Sequence, residues 1–407
     1  MEPRSRREAI GAPGAAQRSG GGGGRARARG RGAGEGTGTP MIFTAGELTR
    51  PQLRLVDELE GLWAELRAAE RRRLLSVLDD AGTPVAPERH AAPPPGDAGP
   101  GPGDAGPGAG AGAGAGAQAE DPDAQADMDG FRRARADALE EVTRPGFRYS
   151  SAFLRRMHRT MMGHRPGKGP GRWRTRPVYV YGNRRVIYEP PPRILVPTLV
   201  GELVAYLNSR DGDRPPVRAA LAHLNVGAVH PFADGNSRMA RVVQSAVLAR
   251  GSGLPAELCG IEEQVIVQHE AGRRAMKRVR GATWDPGRPT ARWIDFCLRA
   301  GVTQAHLVLG RIRASEAEWA AACRIVDTGR LPRRAAVALA MASASGDVTS
   351  TAYAGALGIS TATARADLHR LAEHGALVAS TPGGGGRTTV YRPGRGVPAG
   401  SRTPEDP

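Results

Sequence analysis

The chain has 407 residues, with 57 Lys and Arg against 41 Asp and Glu, a formal charge of +16 and only 4% aromatic residues. Its 56 glycines and 33 prolines mean that part of it lies outside any packed core. The absence of an 18-residue apolar run and of an N-terminal apolar region excludes a membrane-spanning helix and a secretory signal, and three scattered cysteines (Cys259, Cys297, Cys323) make no disulfide framework or paired metal motif, so the expectation is a cytoplasmic protein of about two to three domains.

The positive charge alone argues only weakly for a polyanionic partner. Only Lys168 and Lys277 are lysines; every other basic residue is arginine, as a GC-rich coding bias would produce alongside abundant Ala, Gly and Pro. Residues 1–40 carry eight Arg and three Glu in a Gly-rich context and read as a disordered tail. An upstream mis-assigned start, with Met41 as the true initiator, would look the same.

Residues 41–83 contain an amphipathic helix or helical pair, with Leu53, Leu55, Val56, Leu59, Leu62, Trp63 and Leu66 at helical spacing. Residues 84–127 collapse into Pro, Gly, Ala and Asp and read as a linker. Residues 128–325 form the largest folded block. Helices are expected over 131–142, 151–162, 197–207, 217–226, 237–250, 255–269 and 291–312, with Gly251 as a C-cap and one small β-hairpin at 178–180 and 186–188 around Gly182-Asn183. Residues 330–392 show helices over 333–342, 350–357 and 360–374, then strands over 377–380 and 388–391 around a Gly-rich turn. That order predicts a winged helix-turn-helix, and residues 393–407 are a tail.

One stretch carries chemistry: His230-Pro-Phe-Ala-Asp234-Gly235-Asn236-Ser237-Arg238-Met-Ala-Arg241. It reads as a loop running into a helix N-terminus. Gly235 and Asn236 tolerate unusual dihedrals, and Met239, Val242, Val243, Ala246 and Val247 make the buried stripe of the helix. Free N–H groups, the positive end of the helix dipole, and Arg238 and Arg241 converge on one anion site suited to phosphate. Asp234 beside a polyphosphate suits Mg2+, and His230 is a general-base candidate.

The stretch resembles the Fic (Fido) family, whose motif reads H-P-F-x-(D/E)-G-N-G-R-x-x-R. It matches at every defined position but one, where Ser237 replaces glycine. The resemblance extends to Leu154 and His158, to Trp173-Arg174 at the start of a strand, to the hairpin where the family has its target-docking flap, and to Ala220 and His223, about residues 150–300 in all. It implies a mainly α fold: a Fic-type helical domain with one β-hairpin flap, here followed by a C-terminal winged helix. It further implies a protein adenylyltransferase moving AMP from ATP to a Ser, Thr or Tyr hydroxyl of a protein target, with Mg2+. His230 would deprotonate the hydroxyl and Asp234 would bind the metal. The backbone of Gly235, Asn236 and Ser237 would cradle phosphates, Arg238 and Arg241 would hold the outer ones, and Phe232 would anchor the loop.

At Ser237 the helical periodicity predicts an ordinary negative φ, which serine tolerates. The family's inhibitory S/T-x-x-x-E-G/N helix has no match here. His158 and His223 are read as packed, hydrogen-bonded histidines, Arg184 and Arg185 as solvated charge, Trp284, Trp293 and Phe296 as core, and Cys297 as a buried small hydrophobe.

In the C-terminal segment Ser360 would cap a recognition helix. Ala364, Leu368 and Leu371 would pack inward, Thr361, Thr363, Arg365 and Arg370 would face a groove, Gly358 would supply the turn before the helix, and Arg387 would sit on the wing. The alternative reading is a DNA-binding transcriptional regulator whose Fic domain senses nucleotide with little or no turnover. The sequence leaves open self-modification, a homodimer, and whether the winged helix meets DNA or protein.

Overall fold

A computed structural model describes residues 41–79, 122–182, 184–210, 212–380, 389–394 and 397. Expectations for residues 1–40, for most of the linker and for the wing with Arg387 lie outside these residues. Helices α1 (Arg50–Asp79), α2 (Pro122–Thr143) and α3 (Ser151–Met162) precede a hairpin of β1 (Val180–Gly182) and β2 (Arg185–Tyr188). Then come α4 (Val196–Asn208), α5 (Pro215–Val229), α6 (Asn236–Ser252), the short α7 (Ala256–Cys259) and α8 (Glu262–Val267), α9 (His269–Arg280) and the 38-residue α10 (Ala291–Thr328). The chain continues through α11 (Ala335–Ser345), β3 (Val348–Thr349), α12 (Ser350–Leu357), α13 (Thr361–Glu373), β4 (Leu377–Ser380) and β5 (Val390–Pro393). The fold is mainly helical with a small hairpin, as the periodicity implies. Among the described residues no helix is long and apolar enough to cross a membrane.

The first hydrophobic core gathers around the α5–α6 pair. Leu221, Leu224 and Val229 of α5 and Met239, Val242 and Val243 of α6 are essentially inaccessible to solvent. The helices pack closely because Gly251 sits against Pro215, where a Cβ would fall 2.4 Å from the proline ring. Gly251 is therefore a close-approach residue inside α6 and not its C-cap. The C-cap is Gly253, left-handed at φ +67°, whose N–H donates to Ala249 O.

Asn225 ties the 41–49 segment to this core, accepting from Phe43 N–H (2.9 Å) and donating to Phe43 O (3.0 Å), while Phe43 is buried edge-on to Trp284. Trp293 and Phe296 are buried as expected, and Cys297 lies beside Gln244.

Further boundaries differ from the periodicity, most of all that of α10, expected over 291–312, which runs on to Thr328 because Ala322 and Val326 of its last turns are buried in a second core. Helix α2 begins at Pro122, so the end of the expected linker, including Asp127, is helical; proline in a first turn and the Ala-rich run that follows are compatible with a helix start. The single helix expected over 255–269 is two short ones, α7 and α8, with α9 starting only at His269; the first break is at Gly260, whose extended backbone lets the Glu262 side chain fold back over it, and the second at Gln268. Trp173 and Arg174 are irregular, not strand.

A second core lies beyond α10, which carries Ala322 and Val326 into it. Here α11, α12 and α13 pack against a three-stranded antiparallel sheet in the order β3-β5-β4, with Val348 opposite Tyr391 and Ala379 opposite Tyr391 on the other side. Strand β3, two residues long, is too short to show a period in the sequence. Ser360 caps α13 by accepting from Thr363 N–H, and Gly358 is left-handed at φ +64°. Ala364, Leu368 and Leu371 point inward, Thr361, Arg365 and Arg370 are exposed, and Thr363 is half-buried.

Candidate active site

The loop between α5 and α6 is held by side chains from four places. His230 ends α5 in the left-handed region at φ +51°, a conformation rare for a non-glycine residue and associated with functional positions. It is kept there by Arg174, a buried guanidinium whose Nε donates to His230 O (2.8 Å) and whose Nη2 donates to Pro191 O, while its backbone N–H donates to Pro231 O. Phe232 is buried and stacks parallel on the His158 imidazole at 3.7 Å. Asn236 closes the turn with its own side chain, accepting from Phe232 N–H (2.9 Å) and donating to Phe232 O (3.0 Å).

His158 is more than a packed ring. Its Nδ1 accepts from Gly171 N–H (2.9 Å), so Nε2 carries the proton and donates to Asp234 O (3.0 Å). Burial pushes its pKa down to about 4, which keeps this donor–acceptor pattern neutral. His223 bonds Gln244 (2.8 Å) in the core, as expected of a structural histidine.

The tautomer of His230 follows from the same accounting. Its Nδ1 lies 3.1 Å from Gly227 O, a carbonyl that can only accept, so Nδ1 carries the hydrogen and Nε2 keeps its lone pair. Burial, with the charges of Arg280 and Arg174 adding to it, pushes the pKa down to about 4. The imidazole is therefore neutral and oriented, with its lone pair on Nε2, throughout the physiological range.

Gly235 is the left-handed N-cap of α6 at φ +73°, and its N–H donates to Asp234 Oδ1 (2.6 Å). The positive φ favours glycine there, and a Cβ would also crowd the ends of the Met161 and Met162 side chains at 3.0 Å. Ser237 is exposed, is the second residue of α6 and is absent from the positive-φ residues. The expected negative φ is what the structure has, so serine is unstrained at the departure from the motif. Gly235 provides no side-chain capping bond, which leaves the first turn of α6 to receive an anion.

Asp234 is buried, with Oδ2 3.3 Å from Lys168 Nζ. No group of three or more metal-type ligands exists among the described residues. The donor set still fits Mg2+ in one way: a single carboxylate oxygen that shares the ion with nucleotide phosphates.

The two arginines are differently placed. Arg241 lies over the Phe131 ring of α2 at 5.2 Å. Arg238 Nη1 is 3.0 Å from Asp127 Oδ2, and His164 and Arg165 reach Asp127 Oδ1 at 2.6 and 2.9 Å. Burial raises the Asp127 carboxyl, but hydrogen bonds from His164 and Arg238 and the charges of Arg238 and Arg165 outweigh it and hold its pKa below the usual carboxylate range. Sequence reasoning missed Asp127 because it falls in a stretch whose composition reads as linker. An acid thus sits on Arg238 although the inhibitory motif has no match in the sequence. Arg174 was marked only through the resemblance, as a strand entry, and Lys168 only as one of two lysines; neither was given a place in the site.

Residues 148–248 match the Fic/DOC family model. The chain is 35% identical over 108 residues to protein adenylyltransferase fic-1 of Caenorhabditis elegans, covering 26% of this chain and 20% of that protein. It is 29% identical over 143 residues to protein adenylyltransferase Fic of Aedes aegypti, covering 35% of this chain and 26% of that protein. The match thus spans about a quarter of these relatives' length or less. A Fic family protein from Desulfovibrio desulfuricans G20 is similar in structure at a TM-score of 0.48 and 18% identity, over 86% of this chain and 98% of that one. The family model falls on the hairpin, α5, the His230–Arg241 stretch and most of α6, and by that match residues 148–248 are a domain of the Fic/DOC family.

Proposed function

We propose that the protein transfers AMP from ATP to a hydroxyl of a protein target. The observation that carries this reading is the neutral His230 with its lone pair at Nε2, on the same short loop as the open first turn of α6. Nε2 takes the proton of the attacking hydroxyl, the hydroxyl oxygen bonds to the α-phosphorus, and the bond to the β-phosphate oxygen breaks to release pyrophosphate. The Gly235 N–H is taken by Asp234 Oδ1, so in place of the expected Gly235–Ser237 cradle the N–H groups of Asn236, Ser237 and Arg238, with the guanidiniums of Arg238 and Arg241, hold the phosphates in line, which is the main protein contribution in such transfers. Bound at Asp234, Mg2+ would neutralise phosphate charge. Arg174, His158 and Asn236 keep the loop in this shape. Intact-mass measurement of the protein and of candidate targets after incubation with ATP and Mg2+ tests the reading: a gain of one AMP on a hydroxyl supports it, and phosphate addition or no adduct with any target argues against it.

A second reading is favoured by the C-terminal segment. Its element order supports a winged helix-turn-helix, with Arg365 and Arg370 on the exposed side of α13. A regulator that senses nucleotide would bind ATP without forming an adduct, and its DNA affinity would change with nucleotide. Such DNA binding should weaken with salt and with Arg365→Ala.

Two predictions concern the anion site. Asp127→Asn frees Arg238 and removes a negative charge from beside the phosphates, so ATP affinity should rise about tenfold, or 1.4 kcal/mol. AMP, which lacks the outer phosphates, should gain less. An unchanged ATP dissociation constant by calorimetry would show that the Asp127 pair does not compete with nucleotide.

Ser237→Gly should alter the transfer rate by no more than about tenfold, because the serine is unstrained. If it instead turned an inert protein into an active transferase, the sensing reading would be the better one.

A further inference from the structure

In a chain whose basic residues are nearly all arginine, one of the two lysines stands against the buried carboxylate of the loop. Lys168 Nζ is 3.3 Å from Asp234 Oδ2, with the lysine side chain 47% exposed and the aspartate 9%. A pair with one partner so exposed adds little to stability, so its placement calls for another explanation.

The geometry is set from both sides by one imidazole. The turn Pro166–Lys168 ends at Gly169, left-handed at φ +64°, and Arg172 N–H donates back to Gly169 O. Two residues after Gly169, the N–H of Gly171 donates to Nδ1 of His158, whose Nε2–H holds Asp234 O. Gly171 accepts no side chain: its φ is +71° and a Cβ would lie 2.7 Å from Arg155 O. The backbone that carries the lysine and the backbone that carries the aspartate therefore hang on opposite nitrogens of His158, and this places the ammonium in front of Oδ2.

Residue type matters at this point. Asp234 Oδ1 already accepts from Gly235 N–H, so one carboxylate oxygen faces the lysine. An arginine fork would grip the carboxylate at fixed geometry, whereas an ammonium is a point charge on a flexible stem that can exchange one oxygen partner for another. The α6 N-terminus that would receive phosphates starts two residues after Asp234.

Resting on the nucleotidyl-transfer reading of the site, we propose that Lys168 is a phosphate ligand of the bound nucleotide. Its ammonium leaves Asp234 Oδ2 for a phosphate oxygen as the nucleotide enters. The site then holds ATP without a divalent cation, and Oδ2 is released to a cation when one is present.

Calorimetric titration of the full chain with ATP, first in EDTA and then with magnesium, tests this for wild type, Lys168→Ala and Lys168→Arg. Wild type is expected to bind ATP in EDTA, and Lys168→Ala to weaken that binding about tenfold (1.4 kcal/mol). The loss should shrink with magnesium, and Lys168→Arg should recover only a minor part of the affinity in EDTA, because its fork stays on the Asp234 carboxylate. Both variants should keep the wild-type amide protection of α5 and α6, because the lysine is half-exposed. A Lys168→Ala protein within twofold of wild type in EDTA overturns the proposal, and if it also binds tighter with magnesium, the lysine is only a counter-ion of Asp234. Wild-type binding that requires magnesium overturns the proposal and leaves the transfer reading standing. Absence of ATP binding by wild type under both conditions overturns both.

Discussion

His230→Ala is expected to lower AMP transfer by roughly 10²–10⁴ while leaving ATP affinity within a few fold, since in the proposed reaction the imidazole acts on the hydroxyl and not on the phosphates. The pH dependence follows from burial of the same ring. A histidine whose pKa is pushed down to about 4 stays deprotonated at Nε2 well below the ordinary titration of an exposed imidazole. Protonation at low pH removes the base, so kcat/KM, which reports the free enzyme, should hold from pH 8 to about 5 and fall only as pH approaches 4. An acid limb near pH 6.5 would mean that the ring is solvated. A His230→Ala protein that labels its target at the wild-type rate would remove the histidine from catalysis altogether.

The other large effect concerns stability in the C-terminal segment. Asp367 is 2% exposed, on the inner side of α13, and receives a bidentate pair from Arg334 at 2.7 and 3.1 Å with the Tyr353 hydroxyl at 3.3 Å. Arg334 immediately precedes α11 and Tyr353 lies on α12, so a single carboxylate joins all three helices of this core. Asp367→Ala leaves the buried Tyr353 hydroxyl without this acceptor and the guanidinium without its anion. The cost should be about 3 kcal/mol, at the low end for a broken buried pair because the Arg334 side chain, 35% exposed, can turn to water. Hydrogen exchange should speed up across α11–α13 while α5 and α6 keep their protection. Unchanged exchange in α11–α13 would show that the apolar contacts of Leu339, Leu368 and Leu371 suffice. Because the two cores need not unfold together, a single melting temperature is not the right readout.

How much of this was legible in the sequence varies with the range of the interaction. The Ser350–Leu357 and Leu377–Ser380 boundaries are those the periodicity predicts, because capping and turn signals at Thr349 and Gly358, and the alternation itself, are local. The 255–269 stretch was misread because helical spacing survives across Gly260 even though the backbone turns there. Asp127 was hidden by composition: Ala and Asp count towards a linker as readily as towards a helix start, and only packing of α2 against α3 and α6 decides between them.

By itself the sequence determined the contiguous chemistry: the histidine, the aspartate, the glycine turn and the two arginines of residues 230–241, together with the helix that presents them. Their order along a loop and one helical face is a property of neighbouring residues, and local dihedral preferences suffice to set it. Tertiary structure alone decided what holds and what occupies that loop. Arg174 reaches His230 O from 56 residues away, His158 reaches Asp234 O from 76, and Lys168 and Asp127 place a cation on Asp234 and an anion on Arg238. The physical reason is that an unpaired buried carbonyl, carboxylate or guanidinium takes whichever partner the packing of distant elements brings within hydrogen-bonding reach, and no local pattern records which one that will be.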